Sequence, residues 1–213
     1  MNKEEKLAKE VNKKLRQKLK GQGENFIFPE ELKRKIQSLT MIDLSELSFP
    51  LGQKALRELI SNWQHCVELN LRDTSVTKEI ADLLCELTNL RYLDLCRTNS
   101  DDSTLRAVAK CTQLEGLILD GCLQITSLDS LAACTKLQSL QFLLCYKITD
   151  LQPLRTCKEL QSIVMSFCGE ITDLRSLLSC KKMQSLCMRG CHGITVAEKM
   201  ALQHALPHLT IEE

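Results

Sequence analysis

Apolar residues between Leu114 and Thr195 recur four times in one frame, L-x-x-L-x-L-x-x-C-x-x-I-T, beginning at Leu114, Leu137, Leu160 and Met183. Successive starts are 23 residues apart. A fixed period of this length predicts a solenoid, in which each coil buries its apolar face against the next because it cannot bury it alone. Leu117-x-Leu119 and its copies alternate along a strand of a few residues. Both leucines therefore point to one side and the residue between them to the other.

The frame continues beyond these four copies. It is present earlier at Leu39-x-x-Ile42-x-Leu44, Cys66-x-x-Leu69-x-Leu71 and Leu90-x-x-Leu93-x-Leu95, and it closes at Leu206-x-x-Leu209-x-Ile211. The expected fold is α/β: a right-handed arc of about eight short parallel strands over residues 39–213, with the sheet concave and the returning segments convex. The early returning segments, 52–63, 78–87 and 103–110, are long enough for α-helix; Leu56, Leu59, Ile60 and Trp63 have helical spacing. Central ones such as Ile148 to Leu154 allow about one turn of 3₁₀ helix. Residues 196–205 read as a last helix.

Residues 1–22 differ in kind. Eight basic residues from Lys3 to Lys20 stand against Glu4, Glu5 and Glu10, and Leu7, Val11, Leu15 and Leu19 form one helical stripe. Such an arm can dock on an acidic partner, RNA or an anionic surface. Its stripe is only one leucine wide, which favours packing on the first coil. The acidic residues also argue against a mitochondrial presequence. Gly21-Gln-Gly23 ends the helix, and residues 23–38 read as a linker and capping helix opened by Pro29, with Leu32 and Ile36 inward.

Composition changes this picture little: 44% hydrophobic, 26% charged and a net charge of +1 describe a globular chain with no overall mandate for nucleic acid or membrane. No apolar run has spanning length, and no signal peptide is visible. The twelve cysteines add more. From Cys111 to Cys180 their spacing alternates between 11 and 12, following two positions of the repeat rather than a disulfide plan. One series is the ladder Cys122, Cys145, Cys168 and Cys191; the other is Cys111, Cys134, Cys157 and Cys180. Both should be buried thiols, which implies a reducing compartment, cytoplasm or nucleus.

With its ladder cysteine, the frame resembles the cysteine-containing subtype of the leucine-rich repeat, often found in F-box adaptors of ubiquitin ligases. Segments such as Ile148-Thr149-Asp150-Leu151-Gln152-Pro153-Leu154 resemble the short returning segments of internalin-type repeats. Phe28-Pro29-Glu30-Glu31-Leu32 resembles the start of an F-box, but about ten residues separate it from the resumed repeat where an F-box needs several helices. The resemblance implies a substrate-recognising adaptor; the basic arm suggests instead a structural subunit of a protein or ribonucleoprotein assembly.

No motif points to catalysis or to a cofactor. There is no phosphate loop, no H-E-x-x-H and no C-x-x-C. Cys187, Cys191 and His192, with Cys180 nearby, are the densest metal-like group, yet Cys180 and Cys191 belong to the buried series and two ligands make a poor zinc site. Cys96 and Cys187 are expected on the exposed strand face. That concave face is the candidate binding site. Its columns place Asp43, Glu68, Asn70, Arg72, Tyr92, Asp94 and Asp120 toward the front, Ile118, Gln141, Leu143, Val164 and Phe167 in the middle, and Arg189 behind. An apolar centre with a charged rim suits a protein partner. Nucleic acid is expected only through residues 1–22. The chain is expected to be a monomer or part of a hetero-complex.

Overall fold

The computed structural model describes residues 3–19, 34, 37, 39–45, 63, 65–76 and 78–213. Eight three-residue strands run β1 (Met41–Asp43), β2 (Glu68–Asn70), β3 (Tyr92–Asp94), β4 (Gly116–Ile118), β5 (Ser139–Gln141), β6 (Ser162–Val164), β7 (Ser185–Cys187) and β8 (Thr210–Glu212). They form one parallel sheet in chain order. The register keeps equivalent residues level: Leu117 pairs with Leu140, Leu140 with Ile163, and Ile163 with Leu186. In these strands the central residue is buried and its neighbours face outward, so the sheet has a core side and an outward side.

The returning segments lie on the core side. They are α-helical in two early coils, α2 (Lys78–Leu84) and α3 (Asp102–Val108), and 3₁₀ in the central ones at Asp129–Ala133, Gln152–Thr156 and Arg175–Ser179. Helix α4 (Val196–Ala205) returns the last coil, capped by Thr195 Oγ1, which accepts from Glu198 N. One residue position opens each 3₁₀ turn: Ser127, Asp150 and Asp173 accept from the backbone N–H two residues on, at 2.9, 2.7 and 2.7 Å. The expected segment 52–62 and the resemblance at 28–32 lie outside the described residues.

The cysteine ladder has a hydrogen-bonding reason. Cys122, Cys145, Cys168 and Cys191 each donate S–H to a carbonyl of the preceding coil, namely Leu95, Leu119, Phe142 and Met165, at 3.1, 3.3, 3.2 and 2.9 Å. A small polarisable side chain fills the turn and ties it to the coil before. Where threonine replaces cysteine, Thr74 and Thr98 donate instead to Leu71 O and Leu95 O in their own turn. All twelve cysteines are free thiols. Burial pushes Cys134, Cys145 and Cys168 up to about 12.

Gly193 lies close against the preceding coil. An added Cβ there would lie 2.5 Å from Gly169 O and 2.7 Å from Ile171 O, both backbone atoms of the preceding coil. We expect Gly193→Ala to destabilise the fold by about 2 to 3 kcal/mol in urea melts, because neither carbonyl can move without opening the coil spacing.

Helix α1 (Lys3–Leu19) covers the open edge of β1. Val67 N donates to Thr40 O and Leu44 N donates to Asn70 O, so those residues face β2, and the alternating Met41 carbonyl faces the other way. Asn12 Nδ2 donates to that carbonyl at 3.1 Å, Arg16 pairs with Asp43, and Ala8, Val11 and Leu15 are buried against the first coil. An edge strand otherwise left open is thereby capped. The outer surface of α1 keeps Lys6, Lys9 and Lys13 exposed. No helix among the described residues is long and apolar enough to cross a membrane.

Asp101 and Asp102 join α3 to the next coil. Bonds from Ser103 and Thr104 hold the Asp101 carboxyl below the usual range. For Asp102 burial acts upward, but bonds from Thr126 Oγ1, Thr126 N and Ser127 N outweigh it and the net shift is downward. A depressed carboxylate contributes stability that is complete above its unfolded value, about 3.9, and is lost as pH falls through its lower folded value. Urea melts across this acid range should show a smaller loss for Asp102→Asn than for the unaltered protein.

Candidate functional site

The outward face divides into a front hollow and an apolar ledge. A hollow of about 330 Å³ lies over β1 to β5, bordered by Met41, Asp43, Glu68, Asn70, Tyr92, Asp94, Ile118 and Gln141. Its column runs Met41, Glu68, Tyr92, Gly116 and Ser139, so its far end is lined by small residues. The Tyr92 ring lies over Gly116, where a Cβ would come within 2.7 Å of Tyr92 Cδ1. The Tyr92 hydroxyl donates to Glu115 Oε2 at 3.1 Å, and this bond leads the causes that raise the phenol above its ordinary value.

The acids expected along the front are partly engaged by their own chain. Asp43, Asn70 and Asp94 each use a side-chain oxygen to accept from the backbone N–H two residues on, at Ser45, Arg72 and Cys96. These are turn-closing bonds at the strand exits. The second oxygen of Asp43 is taken by Arg16. Arg72 lies 4.0 Å from Asp94 and 3.7 Å from Asp73. Glu68 has no cationic partner among the described residues. In the fourth coil the pattern changes: Asp120 reaches into the next coil and accepts from Leu143 N at 2.8 Å. Burial pushes the Asp120 carboxyl above the usual range, and the charge of Asp94 adds to the rise against that hydrogen bond.

Behind the hollow, Ile118, Leu143 and Val164 are half-buried, while Tyr146 and Phe167 are each 52% exposed and Leu123 is 49% exposed. Gln141 stands in this column, and Arg189 at the rear pairs with Glu212 at 3.2 Å. One expected position is corrected. Cys96 is buried rather than exposed: it sits at the frame position of Leu143, with the larger Arg72 and Asp120 in the same column on either side. Cys187 does face outward, half-exposed, 3.3 Å from Ser166 Oγ. Cys85 is the other thiol that is not buried. A thiol-reactive reagent should therefore label Cys85 and Cys187 in the folded protein and reach the other ten only on unfolding, a ratio that quantitative mass spectrometry reads directly.

A second column escaped the sequence reading. The residue before the ladder position adopts the left-handed backbone region in six coils: Asp73, Arg97, Gly121, Leu144, Phe167 and Gly190 have φ from 54° to 71°. In five of these coils, from Asp73 to Phe167, the amide at this position bonds onward to the next coil, as Leu144 N to Ser166 O at 3.1 Å and Phe167 N to Arg189 O at 2.7 Å, so the repeat itself holds this conformation. Glycine suits it, and two coils have glycine. Leucine and phenylalanine there cost about 1 to 2 kcal/mol each in backbone strain. Gly121 and Gly190 at one frame position were the available signal. Next to Gly190 the Phe167 ring occupies the space a Cβ would fill, 2.6 Å from its Cδ1.

No protein-family model matches the chain, and no curated protein matches it. Solved structures do. Internalin C2 from Listeria monocytogenes aligns over 84% of this chain and 83% of its own with a TM-score of 0.57 at 18% identity. The fold is a leucine-rich-repeat solenoid. A plant peptide hormone receptor, RGFR1 in complex with RGF2, aligns over 88% of this chain with a TM-score of 0.53 at 16% identity. The leucine-rich-repeat chain spans about a third of that receptor, 34% of its length.

Proposed function

We propose that the chain is a non-catalytic interaction module that binds a partner protein through the outward face of its leucine-rich-repeat sheet. The observation that carries this reading is the ledge of Leu143, Leu144, Val164, Tyr146 and Phe167. Large apolar side chains are presented together in adjacent coils, two of them on backbone where glycine would be less strained. Large apolar side chains exposed side by side mark an interaction surface. The solved plant receptor sharing the fold is in complex with RGF2, which agrees with a protein or peptide partner.

Within this reading, a substrate-recognition role in a ubiquitin ligase rests on the cysteine-type repeat alone. A structural role in a larger protein or ribonucleoprotein assembly rests on the exposed lysines of α1. The test is capture of a partner from reducing lysate on the intact protein, on a Leu143→Arg, Val164→Arg variant and on a control with Arg155→Glu on the opposite side. Loss of one partner with the first variant alone supports the face. Loss with Lys6→Glu, Lys9→Glu, Lys13→Glu, which leaves the buried face of α1 in place, supports the assembly role instead if the face variant still binds.

A further inference from the structure

The front hollow and the ledge lie side by side on one surface and differ in character. Glu68 and Asp94 border the hollow, with Tyr92 level with Glu68 and Ile118 level with Asp94 offering apolar surface. Glu68 lacks a cationic partner among the described residues, and the second oxygen of Asp94 has only Arg72 at 4.0 Å. One coil further, Asp120 accepts a hydrogen bond from Leu143 N and has no cationic partner among the described residues. The front is therefore short of positive charge, whereas Val164 and Phe167 present no charge at all.

We infer, building on the proposed function, that the partner is recognised as an extended peptide segment. Its lysine or arginine enters the hollow between Glu68 and Asp94, and a bulky apolar side chain rests on Val164 and Phe167. The long stem of a basic residue lies along Tyr92 and Ile118 while its charged head meets the carboxylates. Spacing follows from the sheet. Asp94 and Val164 are three coils apart, and strands about 4.8 Å apart make that span roughly 14 Å. An extended chain advancing about 3.4 Å per residue covers it in about four residues, and residues four apart in an extended chain point to the same side. The expected recognition pattern is thus a basic residue and a bulky apolar residue about four positions apart. A helical segment rising about 1.5 Å per residue needs about nine.

A phage-displayed library of random linear peptides, selected on the immobilised full chain, reads this pattern. Fluorescence anisotropy of an enriched, labelled peptide then compares the unaltered protein with Glu68→Gln, Asp94→Asn and with Val164→Arg. Asparagine keeps an acceptor for Cys96 N, so the first variant changes charge without releasing the turn. Enriched peptides should carry the basic and apolar residues at this spacing, lose about tenfold or more in affinity for each variant, and bind less tightly as salt rises. Peptides without a basic residue, with a spacing near nine, or indifferent to Glu68→Gln, Asp94→Asn overturn the inference. If Val164→Arg still weakens them, the binding face stands. Peptides indifferent to Val164→Arg refute the face itself. A library that yields no binder overturns recognition of a linear segment.

Discussion

Leu140→Ala should lower the stability of the folded chain by about 3 to 4 kcal/mol. Leu140 is fully buried at the centre of β5 and is level with Leu117 on one side and Ile163 on the other. Removing its side chain opens a void shared by three coils. The neighbouring coils are held at fixed spacing by backbone bonds such as Leu119 N to Gln141 O at 2.7 Å and Phe142 N to Val164 O at 2.9 Å, so they cannot collapse into it. Solenoid stability is a sum of coils and nearest-neighbour interfaces, and this change weakens two interfaces at once. Urea denaturation should show a midpoint lower by about 1 to 2 M. Gln141→Ala, one residue on but facing outward, should stay within about 0.5 kcal/mol of the unaltered protein. Similar losses for the two variants would contradict the assignment of core and outward sides.

Leu143→Arg, Val164→Arg should leave that stability nearly unchanged and reduce partner binding by at least about a hundredfold. Both positions are half-buried, so an arginine stem has room along the sheet with its head in solvent. At a bound interface the same heads must be desolvated without designed partners, in adjacent coils where the ledge is most apolar. Circular dichroism and urea melts establish that the fold is kept, and titration calorimetry with the captured partner gives the loss. Binding within a few-fold of the unaltered protein would remove the ledge from the site.

Much of the fold was legible because the repeat states it many times. A strict 23-residue period with Leu117-x-Leu119, Leu140-x-Phe142 and Ile163-x-Met165 specifies strand, register and core side together. Coil length alone did not separate α-helical from 3₁₀ returning segments: the last coil, 23 residues from Met183 to Leu206, is as long as the central ones yet returns through α4. Strand ends were harder to read. Frame position gives direction but not cover: Cys96 shares the position of Leu143 yet is buried, a small side chain in one column with Arg72 and Asp120. The left-handed position showed in Gly121 and Gly190, but Leu144 and Phe167 concealed it, because neither residue type signals such backbone.

The candidate site divides in the same way. The apolar residues Ile118, Leu143 and Val164 could be placed from the columns, whereas the acids were read without their local bonds. Asp43 and Asp94 each bond the amide two residues on, a short-range pattern that the sequence allowed. The tie between Arg16 and Asp43 is distant in sequence, and nothing in the spacing of residues 1–22 announces it. The stripe of α1 did favour packing on the first coil, and Val11 and Leu15 are buried there.

The most direct test of the outward face uses thiols the protein already has. Cys187 stands on that face, level with Val164, and Cys85 follows α2 on the other side of the sheet. With the captured partner present in excess, alkylation rates at the two sites are followed by mass spectrometry. Slowing at Cys187 with Cys85 unchanged is the result expected. Slowing at Cys85 alone, or at neither, would place the partner elsewhere on the molecule.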